Sequence, residues 1–145
     1  MSTVIGYAPG VYDLFHVGHL NALRFAREHC DVLVAGVVSD EVSWATKRVR
    51  PFIPLQERLA IVESLRIVDR VHAEHTTDKL DAWRAVGFQR IFKGDDWRGT
   101  AKGDALEARL GSVGVEVVYF PYTLHTSSTR LRREVTEASH VAAAQ

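Results

Sequence analysis

The 145-residue sequence predicts an α/β fold, a single doubly wound domain with a mostly parallel five-stranded sheet. Short apolar runs that do not alternate with polar residues recur between segments of helical period. Strands apolar on both sides belong to parallel sheets covered on both faces. Glycines also stand where the helical segments should stop, at Gly87, Gly111 and Gly114.

The elements follow in order. Residues 3–8 (TVIGYA) read as a short buried strand and residues 31–38 (DVLVAGVV) as a longer one. Between them, residues 19–29 place Leu20, Leu23 and Ala26 at helical spacing with charges opposite. The same period runs through Leu59, Val62 and Leu65 in residues 55–68. The basic run TKRVR, residues 46–50, reads by itself as a solvated loop. Strands are expected at 69–74 and 90–94 with a helix at 79–87 between them, and a helix at 104–111 leads to a strand at 115–121. Residues 127–140 read as a last helix, with Ser127 or Ser128 as its N-cap. The expected Rossmann-like domain covers residues 1–140, and residues 141–145 are expected to fray. Sheets of this kind bind ligands beyond the carboxyl ends of their strands, where the strand order reverses.

Composition narrows the function classes. Lys plus Arg and Asp plus Glu number 18 each, so no global field points to nucleic acid or a membrane surface. An anion site has to be local. The single Cys30 excludes an internal disulfide framework, and no apolar run approaches the ~20 residues of a bilayer span. The N-terminus does not resemble a signal peptide, and a cytoplasmic protein is expected.

The chemistry concentrates in YDLFHVGH, residues 12–19. His16 and His19 fall where the first strand hands over to the first helix. Free N–H groups and the positive end of the helix dipole favour phosphate there. Gly18 lets backbone approach, and two imidazoles can donate to phosphoryl oxygens. A GxGxxG fingerprint and a Walker lysine are missing, and no Cys or third His stands nearby in sequence to complete a zinc site. The rival reading of the histidines is helix capping or core packing.

GVYDLFHVGH resembles the H-x-G-H signature of the nucleotidylyltransferase superfamily. Together with ERLAIVESLRIVDRV (57–71), KGDDW (93–97) and SSTRLRREV (127–135), it is similar to the bacterial glycerol-3-phosphate cytidylyltransferases and the related choline- and ethanolamine-phosphate enzymes. The resemblance implies attack of an alcohol phosphate on the α-phosphorus of CTP, giving a CDP-alcohol and pyrophosphate, with Mg2+ or another divalent cation. It assigns His16, His19, Lys47 and Arg66 to catalysis. Gly10, Val11, Tyr12, Asp13, Gly18, Gly94, Asp95, Trp97, Thr123, Ser127, Ser128 and Thr129 would bind nucleotide. The metal would be held mainly by the nucleotide phosphates, with Asp13 as a protein ligand. Arg48 and Arg50 flank Lys47 in the basic run, and Asp69 is the expected partner of Arg66. Arg58 and Arg66 would share one helical face.

One motif departs from the family. Where the family reads R-T-E-G-I-S-T-T, this chain has YTLHTSST, residues 122–129. Tyr122 replaces an arginine, removing a charge and a bidentate fork. Arg58, Tyr122, His125 and Arg130 therefore become the expected acceptor contacts. The acceptor stays open between glycerol 3-phosphate, another polyol phosphate and a phosphonate. Adenylyl transfer to a sugar phosphate or FMN, and a non-catalytic nucleotide-binding module, are the other readings. The family also implies a homodimer.

Overall fold

The computed structural model describes residues 2–122 and 127–144. Five strands, β1 (Ile5–Gly10), β2 (Val32–Val38), β3 (Arg70–Glu74), β4 (Arg90–Gly94) and β5 (Glu116–Phe120), form one sheet in the order β3-β2-β1-β4-β5. Every pairing is parallel. The order reverses between β1 and β4, which puts the ligand crevice there.

The helices are α1 (Val17–Glu28), α2 (Asp40–Lys47), α3 (Leu55–Glu63), α4 (Lys79–Val86), α5 (Ala101–Gly111) and α6 (Ser128–Ala144). Leu23 and Ala26 of α1 and Val62 of α3 pack with Ala8, Leu33, Ala35, Val37 and Phe92 on one face of the sheet. Leu80 and Ala82 of α4 and Leu110 of α5 pack with Tyr7, Val34 and Ile91 on the other. Neighbouring strand residues thus serve opposite cores, which is why the strands read as unbroken apolar runs.

Close packing sets several positions. A Cβ at Gly36 of β2 would meet the Tyr7 hydroxyl at 2.0 Å. That hydroxyl donates to the buried carboxylate of Glu74, which Lys79 also reaches at 2.5 Å. Burial, followed by the Glu74 charge, pushes the Tyr7 phenol far above its usual range. Gly103 near the start of α5 is equally tight, because a Cβ there would meet the Trp97 carbonyl oxygen at 2.0 Å.

The elements differ from the sequence reading in three places. Residues 40–47, absent from the expected elements, form α2, so Lys47 closes a helix and does not lie in a loop. Ser39 caps α2 by accepting from the Val42 N–H at 3.2 Å, and Asp40 and Glu41 occupy its first turn. Helix α3 stops at Glu63, because Leu65 and Val68 are drawn into successive turns (Leu65 N–H to Val62 O, Val68 N–H to Leu65 O) that aim the chain into β3. Arg58 and Arg66 therefore share no helical face. Helix α6 continues to Ala144, past the expected boundary at residue 140.

Candidate active site

The loop joining β1 to α1 is held in a costly shape. Tyr12 and Leu14 both adopt left-handed backbone, with φ of 56° and 50°. For non-glycine residues this costs about 1–2 kcal/mol each. Buried polar bonds hold the loop. The Tyr12 hydroxyl donates to Ala8 O at 2.8 Å. The Asp13 carboxylate, fully buried, accepts from Phe52 N–H and Ile53 N–H at 2.9 Å each and faces Arg132 at 3.3 Å. The Arg58 guanidinium, also fully buried, donates to Val11 O and Val38 O at 2.7 Å and pairs with Asp40.

The strained loop delivers two histidines that cap their own helix. His16 Nδ1 accepts from Gly18 N–H at 3.0 Å, and His19 Nδ1 accepts from His16 N–H at 3.2 Å. The pair forms a reciprocal capping box. A neutral imidazole whose Nδ1 accepts carries its proton on Nε2. The cap therefore leaves each ring a donor at Nε2. The rings lie 4.0 Å apart, centroid to centroid. Burial lowers the pKa of His16. Burial, then His16, Arg132 and Lys47 against the opposing Asp13, holds His19 down to about 3. Both rings are neutral at pH 7. The geometry bears out the capping reading of the histidines, and it leaves Nε2 of each ring outside the cap.

A second helix start faces the first. Ser127 caps α6, its Oγ accepting from Arg130 N–H at 3.0 Å. The Ser128 hydroxyl donates to Asp13 O at 2.6 Å and lies 3.4 Å from His19 Nε2. The cavity between them measures about 330 Å³. Of the sequence-expected residues, Gly10, Tyr12, His16, Gly18, His19, Lys47, Gly94, Trp97, Tyr122, Ser127, Ser128 and Thr129 line it.

Others do not. Arg58 is an internal strut: its burial and its four bonds leave no route to an acceptor. Asp13 is committed to backbone amides and Arg132, which removes it as a metal ligand or nucleotide contact. Val11 turns its carbonyl to Arg58. Arg66 is exposed in the turn after α3, away from the cavity, and Asp69 pairs with Arg27 at 2.6 Å in its place. Arg48 and Arg50 sit over the Trp44 ring, at 5.7 and 5.6 Å from its centroid. Arg130 pairs along α6 with Glu134. Thr123 and His125 lie outside the described residues.

In the KGDDW segment the single 3-10 turn of Asp95–Trp97 aims Asp96 into the cavity, while Asp95 accepts from Tyr122 N–H at 3.2 Å. Asp96 and Lys93 line the cavity, whereas the sequence reading chose Asp95 of the carboxylate pair and gave Lys93 no role. A lysine directly after the apolar pair Ile91–Phe92 in β4 was the available signal for Lys93. Burial, then crowding by Arg132, Lys79 and Lys102, lowers the pKa of Lys47.

Together, a parallel sheet with its crevice between β1 and β4 and two facing helix starts define the α/β proteins that hold phosphorylated ligands at a strand-order reversal. The chain belongs to the cytidylyltransferase-like family, whose model matches residues 7–134. It is 32% identical to the glycerol-3-phosphate cytidylyltransferase of Staphylococcus aureus over 136 residues, 93% of this chain and 96% of that protein. It is 34% identical over 130 residues to the bifunctional protein HldE of Hyphomonas neptunium, covering 88% of this chain but only 26% of that protein. The solved lipopolysaccharide core biosynthesis protein of Thermoplasma volcanium superposes with a TM-score of 0.72 at 23% identity, covering 86% of this chain and all of that one, a likeness of fold.

Proposed function

We propose that the protein transfers the cytidylyl group of CTP to a small phosphorylated alcohol, with glycerol 3-phosphate as the reference acceptor, and releases pyrophosphate. The observation that carries this reading is the histidine capping box, which presents two neutral Nε2–H donors at a helix start inside the crevice. The similarity to glycerol-3-phosphate cytidylyltransferase along nearly all of both chains supports the choice of base and acceptor.

An acceptor phosphate oxygen attacks the α-phosphorus, and the bond from that phosphorus to the oxygen bridging to the β-phosphate breaks. The nucleophile is already an anion, so no side chain has to remove a proton. Catalysis then rests on alignment and on stabilising charge as it moves onto the leaving pyrophosphate. His16 and His19 donate to phosphate oxygens, Lys47 adds a positive charge, and Ser127, Ser128 and Thr129 receive the outer phosphates at the start of α6. Gly94 and Trp97 line the nucleoside side.

A divalent cation fits as a companion of the triphosphate. Asp96 is the one carboxylate among the described residues lining the cavity, and no cluster of three or more His, Cys, Asp or Glu among the described residues could hold a metal. Magnesium would offset phosphate charge, with Asp96 as its protein-side neighbour.

A homodimer, which rests on the family resemblance, and a cytoplasmic location and a single domain over residues 1–140, which rest on the sequence reading, belong to the same proposal. No helix among the described residues is long and apolar enough to cross a membrane.

The test is a pyrophosphate-release screen crossing CTP and ATP with glycerol 3-phosphate, other polyol phosphates, sugar phosphates and phosphonates. Release with CTP and a polyol phosphate is expected. Faster release with ATP throughout would replace cytidylyl by adenylyl transfer. No release with any pair would leave a nucleotide-binding module.

A further inference from the structure

Lys93 is a lysine at the carboxyl end of a central parallel strand, and the apolar packing around it does not account for it. Its ammonium lies 3.9 Å from the centroid of the Trp97 ring and lines the cavity. Among the described residues it makes no hydrogen bond or ion pair. Its charged neighbours are Lys79 and Lys47, with the Glu74 and Asp96 carboxylates opposing them. A half-buried cation without a direct anionic partner is costly to the fold unless a ligand supplies the anion.

The position suggests which ligand. The histidine box and the start of α6 already furnish donors for the triphosphate. Lys93 ends β4, across the strand-order reversal from the β1–α1 loop that carries His16 and His19, and the cations nearest it, Lys47 and Lys79, follow β2 and β3. In-line displacement requires the nucleophile opposite the leaving pyrophosphate. Tyr122, moreover, stands where the family carries an arginine, so a phosphate-binding charge has to come from elsewhere.

We propose that Lys93 is a specificity-determining residue of the acceptor subsite, selecting acceptors whose reacting group is a doubly ionised phosphoryl or phosphonyl group. The inference rests on the nucleotidyl-transfer reading above and names the acceptor chemistry of that same site. Burial, then Lys79 and Lys47, holds the Lys93 pKa down to about 7. A dianion entering the subsite favours the charged ammonium.

The test compares wild type with Lys93→Met and Lys93→Arg. Lys93→Met should raise the acceptor KM at least about ten-fold, the size of one charge-assisted hydrogen bond. The CTP KM and the melting-temperature shift given by CTP should stay as in wild type. Lys93→Arg should recover part of the acceptor KM. Because Met removes a desolvated charge, its melting temperature should not fall, which separates loss of a ligand from loss of the fold. A rise in CTP KM with the acceptor KM unchanged would overturn the assignment in favour of the nucleotide, and no change in either would overturn it altogether. If wild type releases no pyrophosphate with any pair, the transfer reading fails by itself. Calorimetric titration of glycerol 3-phosphate then still decides on Lys93, because equal affinity in wild type and Lys93→Met would refute it.

Discussion

His16 has two jobs that one pair of substitutions separates. Its Nδ1 caps α1 through Gly18 N–H at 3.0 Å, and its other nitrogen carries the proton that faces the cavity. His16→Ala removes both. Loss of an N-cap costs about 1 kcal/mol, within a range of roughly 0.5–2. For a chain of this length that is a fall of about 2–4 °C in melting temperature. Loss of one preorganised donor costs about 10²–10³ in kcat. Asparagine is among the best N-caps but is too short to place a donor where Nε2–H sits. His16→Asn should therefore keep the wild-type melting temperature while its kcat stays as low as that of alanine. The assay pairs thermal unfolding of the three proteins with pyrophosphate release at saturating CTP and acceptor. If His16→Asn restored kcat to within a few-fold of wild type, the histidine would be only a cap. If alanine and asparagine melted together, the cap would contribute nothing.

The folded state holds His19 down to about 3 against an ordinary value of 6.5, so between those limits the unfolded chain binds more protons. Stability contributed by neutral His19 is complete above about pH 6.5 and is lost as pH falls, by up to about 1.4 kcal/mol per unit. Denaturant unfolding between pH 7 and 5 should show this slope, and His19→Asn should flatten it; equal slopes would refute the depressed value. Tyr122 lines the cavity and is 49% exposed, so Tyr122→Arg is expected to keep the fold and to alter kcat/KM for glycerol 3-phosphate about ten- to a hundred-fold. Unchanged kinetics there would place the residue outside acceptor binding. Gly103→Ala, which in an ordinary helix position would stabilise, should cost about 1–3 kcal/mol, because its Cβ meets the Trp97 carbonyl at 2.0 Å. A higher melting temperature for that variant would contradict the packing.

Local pattern was enough for the α/β alternation, the parallel sheet and the strand-to-helix site of His16 and His19. Each of these depends on periodicity or on spacing within a few residues, which the chain carries directly. The start of α6 was legible for the same reason, since a serine before a helical run is a local signal. Helix α2 had such a signal too, Ser39 followed by two acids, but its eight residues run directly into the basic segment 46–50, which reads as a loop. The fate of each charged side chain was different in kind. Arg58 and Asp13 look like active-site residues in sequence, yet both are buried struts, because distant chain segments close on them: Ile53 and Arg132 lie 40 and 119 residues from Asp13, and Val11 lies 47 residues from Arg58. Asp95 and Asp96 are adjacent and chemically identical, and one 3-10 turn decides which faces the cavity. Lys93 became a candidate only once β2 and β3 had brought Lys47 and Lys79 to its side of the sheet. Backbone conformation is set largely by neighbours in sequence, whereas a charge's role is set by what surrounds it in space, and that assembly exists only in the folded chain.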